Sequence, residues 1–208
     1  MKVAVIGTGN MGKGFVNALV AAKHKVVVGH RDPEKAAALA REVSASVEGG
    51  GIAAAIKAAD VVILAMPYQG ALDALKSAGD LTGKVLIDIT NPVTADYKEL
   101  LLGYTTSAAE EIQAAAPAAK VVKGFNTIFA PLLPVSGRNG ATVQVFLAGD
   151  DADAIARVSE LAQSLQFEAV NAGPLSNARF LEPIGEMNIH FGFFLGQGTS
   201  IAPAWIKI

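Results

Sequence analysis

The first twelve residues constrain the fold more than any other feature of the chain. Val3-Ala4-Val5-Ile6 reads as a buried strand that runs straight into Gly7-Thr8-Gly9-Asn10-Met11-Gly12, and a helical pattern starts at once. A Gly-x-Gly-x-x-Gly turn between strand and helix lets backbone come within van der Waals reach of a diphosphate. Gly7 is read as the tight turn, Gly9 as the point where a side chain would block that approach, and Gly12 as the close contact between helix and strand. Free N–H groups at the helix start, with the positive end of its dipole, favour an anion there. The stretch is not a P-loop, because no Gly-Lys-Ser/Thr ending follows.

Strand and helix signals then alternate, which predicts an α/β fold: a Rossmann-type, doubly wound, mostly parallel sheet with a short C-terminal helical cap. A helix is expected from about Asn10 to Ala22, a strand at Lys25 to Gly29, and a helix to about Glu42 with Asp32 as N-cap and Pro33 in its first position. Gly49-Gly50-Gly51 reads as a loop before a short Ala-rich helix. Strands follow at Val61 to Ala65, Val85 to Ile89 and Lys120 to Gly124, with helices at Gln69 to Ser77 and after the capping box Ser107-x-x-Glu110. Val143 to Leu147 follows a glycine-containing loop and no helix, so it is expected to pair antiparallel at the sheet edge. A helix capped by Asp150 or Asp151 leads to a last short strand, Glu168 to Asn171. The tail reads as one long apolar helix, Ser176 to Leu195, kinked at Pro183. Residues 1–173 are thus expected to form a dinucleotide-binding domain, and 174–208 a cap on the same compact unit.

Several function classes drop out on composition. Cysteine is absent, which removes disulfides, thiolate nucleophiles and zinc–cysteine sites. No His, Asp or Glu cluster has metal-ligand spacing, so no metal is expected. A net charge of −2 offers no electrostatic case for nucleic acid or an anionic membrane. The richest apolar run, Val61 to Met66, is far shorter than the roughly 20 residues a bilayer span needs. No basic or signal-like leader precedes the first strand, which predicts a cytoplasmic location.

The end of the second strand selects the dinucleotide. An acid there would accept hydrogen bonds from the adenine ribose, whereas cations would meet a 2′-phosphate. Here His30 holds the acid's slot, Arg31 follows, and Lys35 lies on the first turn of the next helix. Guanidinium binds phosphate bidentately, so NADP(H) is expected over NAD(H), with Asp32 occupied as a helix cap.

Three segments together carry a family resemblance: Gly7-Thr8-Gly9-Asn10-Met11-Gly12-Lys13-Gly14, Gly29-His30-Arg31, and Ala172-Gly173-Pro174-Leu175-Ser176-Asn177-Ala178-Arg179. The sequence resembles the NADPH-dependent reductases of the deazaflavin coenzyme F420. Asp88-Ile89-Thr90-Asn91-Pro92 and Lys123-Gly124-Phe125-Asn126-Thr127-Ile128 are similar to a bacterial branch related to the oxidoreductase domain of the STEAP metalloreductases. The resemblance implies NADP(H) as cofactor, a deazaflavin or flavin as hydride acceptor, and a homodimer. It further implies that Thr8, Gly9, Asn10 and Met11 meet the diphosphate, and that His30, Arg31 and Lys35 meet the 2′-phosphate. Ala65, Met66 and Pro67 would line the path to the nicotinamide ribose, and Asn91, Pro92 and Asn126 would flank the nicotinamide and the acceptor ring. The deazaflavin enzymes carry a small hydroxylated residue where this chain has His30, so the phosphate pocket differs from theirs.

The remaining candidates are read plainly. Phe125 is expected in the core, His190 as a satisfied buried histidine, and Glu182 with Glu186 as a solvated face or an intersubunit contact. No catalytic side chain is named, because hydride transfer between stacked rings depends on close approach and exclusion of water. Two alternatives stay open: an NADP(H)-dependent oxidoreductase whose small substrate is an imine or hydroxyacid, and a non-catalytic NADP(H)-binding sensor. The first normally brings a sizeable helical domain after the Rossmann unit, and only 35 residues, Pro174 to Ile208, follow the last strand here.

Overall fold

The computed structural model describes residues 1–208. Eight strands form one sheet: β1 (Lys2–Ile6), β2 (Lys25–His30), β3 (Glu48–Gly51), β4 (Val61–Leu64), β5 (Val85–Asp88), β6 (Lys120–Lys123), β7 (Gln144–Gly149) and β8 (Glu168–Asn171). Their order across the sheet is β3-β2-β1-β4-β5-β6-β7-β8, with every pairing parallel except β6 with β7. The helices are α1 (Asn10–Ala21), α2 (Pro33–Val43), α3 (Ile52–Ala58), α4 (Tyr68–Lys76), α5 (Ala108–Ala115), α6 (Ala152–Ser164) and α7 (Ala178–Ile189).

Alternation along the central strands explains the layering. Val3 and Val5 enter a 31-residue core on one face of the sheet, while Ala4 and Ile6 enter a 20-residue core on the other. Both faces are therefore covered by helices, and the central strands read as continuous apolar runs. Strand order reverses between β1 and β4, so the loops after these two strands part and leave a crevice at their carboxyl ends.

Local signals set the element starts. Asp32 Oδ1 accepts from the Glu34 amide at 3.1 Å, with Pro33 in the first helical position of α2. Ser107 Oγ accepts from the Glu110 amide at 3.2 Å and starts α5. Asp151, rather than Asp150, caps α6 through the Ala154 amide.

Four expectations need correction. Gly49 to Gly51 lie in β3, a strand parallel to β2; a Cβ on Gly49 would stand 2.4 Å from the Ala36 carbonyl oxygen, so the missing side chain lets this strand lie against α2. The strand at Val143 to Leu147 is β7; it pairs antiparallel with β6 as expected, but β8 lies outside it and takes the edge. The tail is not one helix: a 3-10 turn, Leu175–Asn177, leads into α7, which continues through Pro183 and loosens into a π turn, His190–Phe194. Glu182 and Glu186 face inward, at 1% and 8% exposure, while His190 is only half-buried. The two carboxylates share one face by helical spacing; Glu182 meets a lysine from β6 there, a partner invisible to a local reading.

The loop after β6 is fastened from beneath. Arg138 is buried and donates to the carbonyls of Leu132, Leu133, Leu165 and Gln166 at 2.7 to 3.0 Å, with its guanidinium 3.5 Å from the Phe167 ring centroid. It thereby satisfies carbonyls at the C-terminal end of α6 and holds Ala130–Leu132 in place.

Candidate functional site

A groove runs along the carboxyl ends of the parallel strands as three adjoining cavities. The first, about 500 Å³, is lined by Gly7, Thr8, Gly9, His30, Arg31 and, opposite, by Ala65, Met66 and Pro67. The second, about 710 Å³, shares Gly9, Ala65, Met66 and Pro67 with it and adds Asn10, Met11 and Asn91. The third, about 720 Å³, continues past Met11 and Asn91 to Asn126, Phe129, Gly185 and Phe193.

The three motif glycines play separate physical roles. Gly7 has φ +124°, and a Cβ there would lie 2.2 Å from the Ala65 carbonyl oxygen. A Cβ on Gly12 would lie 2.1 Å from the Gly7 carbonyl oxygen, so Gly12 sets the approach of α1 to its strand and does not line the groove. At Gly9 a Cβ would meet nothing within 4 Å, so the space it would fill faces the cleft. Gly9 is also the N-cap of α1, which has no side-chain cap and no acid in its first turn. An open cradle over uncapped N–H groups suits an anion.

At the far end of this cleft His30 Nδ1 stands 3.0 Å from the Asp32 amide nitrogen. Nδ1 is also 3.2 Å from the Asp32 carbonyl oxygen, so the backbone of Asp32 holds this side of the ring. Arg31 beside it is exposed and has no ion-pair partner; the one acid in the cleft wall, Asp73, is paired with Lys76 at 2.8 Å. Lys35 is exposed on α2 and lies outside the cleft lining, and Pro92 is buried behind Asn91.

The opposite end has different chemistry. No Lys, Arg, His, Asp or Glu lines the third cavity; its walls carry the rings of Tyr97, Phe125, Phe129, Phe193 and Phe194. Phe125 is buried, as expected, with edge-to-face contacts to Phe15 and Phe167 at 5.2 and 5.6 Å. Its φ of +61° is a left-handed conformation that costs a bulky residue about 1–3 kcal/mol, and it turns the chain between β6 and Asn126. Asn91 and Asn126 bond to one another, Asn126 Nδ2 donating to Asn91 Oδ1 at 2.9 Å. Asn126 Oδ1 and Thr90 Oγ1 are buried beside the groove without a hydrogen-bond partner.

Beneath the two asparagines lies a cluster that local sequence reasoning missed. Lys123 Nζ is fully buried, 2.7 Å from Asp88 Oδ2 and 2.8 Å from Glu182 Oε1. Burial raises the pKa of Glu182 by more than Lys123 beside it lowers it. The available signal was a lysine closing an apolar strand, Val121-Val122-Lys123, with an aspartate closing the preceding strand of the sheet. Nearby, burial and a hydrogen bond to Glu111 push the Tyr68 hydroxyl pKa well up, so Tyr68 stays protonated.

Fold and groove together define a dinucleotide-binding protein of the Rossmann type. Residues 2–92 match the family described as NADP oxidoreductase, coenzyme F420-dependent. The F420-dependent NADP reductase of Methanothermobacter marburgensis is 34% identical over 207 residues, covering 91% of this chain and 92% of that protein. The chain belongs to this family. A crystal structure of a protein from Arthrobacter sp. FB24 superposes with a TM-score of 0.87 at 33% identity, covering 98% and 100% of the two chains. Rat metalloreductase STEAP3 is 32% identical over 88% of this chain, which spans only 36% of that protein. Reductive aminase from Aspergillus terreus shares the fold at 21% identity, with a TM-score of 0.68. No helix is long and apolar enough to cross a membrane.

Proposed function

We propose that this protein moves a hydride between NADP(H) and the ring of a deazaflavin, coenzyme F420, or of a flavin. The observation that carries the reading is the change of chemistry along one groove. It begins at a cationic, anion-accepting end (His30, Arg31, Gly9 and the start of α1) and finishes at an uncharged end walled by aromatic rings. NADPH, when bound, supplies the hydride. The residues at the first end hold the 2′-phosphate and diphosphate, and Ala65 to Pro67 guide the ribose. Asn91 and Asn126 flank the nicotinamide. The rings of the third cavity offer stacking surface to a flat acceptor and exclude water, which is most of what such a transfer asks of a protein.

Residues 1–173 would carry the dinucleotide and 174–208 would close the acceptor side. Exposed Phe180 and Met187 on α7 support pairing of two copies through that face, which sedimentation would test. Hydride exchange with a small imine or hydroxyacid fits less well, because the aromatic rings of the third cavity offer more flat surface than such a substrate would cover. Mixing purified protein with NADPH and either F420 or free flavin tests the reading: loss of reduced-nicotinamide absorbance is expected, and its absence with both acceptors overturns it.

A further inference from the structure

Helix α7 forms one wall of the third cavity through Gly185, Asn188 and Ile189, yet it is fastened unlike the other helices. The buried residues of α1 and α6 are all apolar, whereas α7 buries Glu182, Glu186 and Asn188 beside Ala178, Leu181 and Gly185. Apolar contact is non-directional and tolerates sliding; hydrogen bonds in a dry interior do not.

The polar contacts form two layers. In the lower one, Lys123 Nζ donates to Asp88 Oδ2 at 2.7 Å and to the Thr90 carbonyl at 2.6 Å, and pairs with Glu182 at 2.8 Å. Glu182 also accepts from the amides of Ala108 and Ala109, at 3.0 and 3.2 Å, at the start of α5. In the upper layer, Asn126 Nδ2 donates to Asn91 Oδ1 and to the Leu181 carbonyl, while Asn91 Nδ2 donates to the Asn126 carbonyl at 2.9 Å. Gly185 closes on this pair: a Cβ there would lie 2.4 Å from Asn91 Oδ1 and 2.8 Å from Asn126 Nδ2.

We propose that the Asp88–Lys123–Glu182 cluster and the Asn91–Asn126 pair act as one positioning device. It fixes α7, and so the acceptor wall, against the strand ends that carry the dinucleotide. Buried ion clusters add little stability over apolar packing, and their best-attested use is to fix register. None of the cluster residues lines the cavity, so they act through Asn91, Asn126 and Gly185 and not on the reacting atoms. The role in turnover rests on the hydride-transfer reading; the fastening itself does not.

Glu182→Gln keeps a neutral Asp88–Lys123 pair, and Gly185→Ala pushes the amide layer apart without touching a charge. Two measurements test both variants. Hydrogen exchange of the amides from Gly185 to Phe194 is expected to speed up about tenfold or more, while those of β1 and α1 keep the wild-type rate. Single-turnover hydride transfer is expected to slow about tenfold or more, with the Kd for NADPH changed less than about threefold. Wild-type exchange in that segment would overturn the proposal. So would a uniform rise across the chain, or a parallel loss of NADPH affinity. If Glu182→Gln does not fold, Gly185→Ala decides alone. If the wild-type protein reduces neither acceptor, the functional reading falls, and the exchange data still decide whether the fastening exists.

Discussion

Glu186 Oε1 lies 3.3 Å from His190 Nε2, one turn apart, where α7 loosens into the π turn that carries Phe193 and Phe194 to the acceptor cavity. The contact lacks hydrogen-bond geometry, and both carboxylate oxygens are buried without a donor. Burial pushes the Glu186 pKa up, His190 pulls it down, and the charge of Asp96 pushes it up again.

This arrangement predicts a pH-dependent stability. An acid whose folded pKa exceeds its unfolded value contributes stability at low pH that is lost as pH rises through the folded pKa. Glu186→Gln should therefore be more stable than wild type at neutral pH, and the gap should shrink as pH falls through the carboxylate range. Each kcal/mol gained would show as about 2–4 °C in Tm for a chain of this size. A Gln variant that melts earlier at neutral pH would mean that the carboxylate has a partner in solution.

Arg31→Ala should cost about 1–3 kcal/mol of NADPH affinity and leave NADH binding nearly unchanged. Arg31 is exposed and makes no ion pair in the protein, so its removal has no structural cost to confuse the reading. Calorimetry with both dinucleotides measures the difference. Equal losses would place Arg31 outside the 2′-phosphate pocket.

The glycines give a sharper contrast, because their neighbourhoods differ so widely. Gly9→Ala places a methyl in open space at an ordinary φ of −73°. Stability should change by no more than about 1 kcal/mol, the entropy lost by the unfolded chain being offset by a poorer N-cap, while dinucleotide binding falls. Gly12→Ala must displace the Gly7 carbonyl from 2.1 Å, so its Tm should drop before any binding is measured. Thermal melts beside NADPH titrations separate the two, and similar melting for both variants would remove the distinction drawn between them.

What could be read from the sequence followed from local chemistry. Asp32 before Pro33, and Ser107 three residues before Glu110, are caps because a short side chain and a free amide meet within one turn. The groove was legible for a related reason: its residues follow strand ends, and a parallel sheet gathers those ends on one side. Lys123 and Glu182 were not legible. They are 59 positions apart, and neither side chain shows a local sign of burial until the other arrives to neutralise it. The strand at Gly49 to Gly51 was missed because glycine has no preference for strands; its place depends on what a side chain would strike in α2. The aromatic wall of Phe129, Phe193 and Phe194 needs the fold of the tail, which no periodicity could supply.

Glu110 carries the last prediction. It receives two hydrogen bonds from Arg179, at 2.8 and 2.6 Å, and one from the Ser107 hydroxyl at 2.8 Å. Arg179 first, and Ser107 with it, hold the Glu110 carboxyl below the usual range against the opposing pull of partial burial. A depressed carboxylate contributes stability above its unfolded pKa of about 4.3, and that stability is lost as pH falls through the lower folded value. Because the pair is partly exposed, Glu110→Gln should cost only about 1 kcal/mol at neutral pH. The cost should vanish in acid, so the variant's denaturant midpoint changes less between pH 7 and the acid limb than that of wild type. Midpoints that fall in parallel would show that Arg179 and Glu110 do not hold this junction between α5 and α7 in solution.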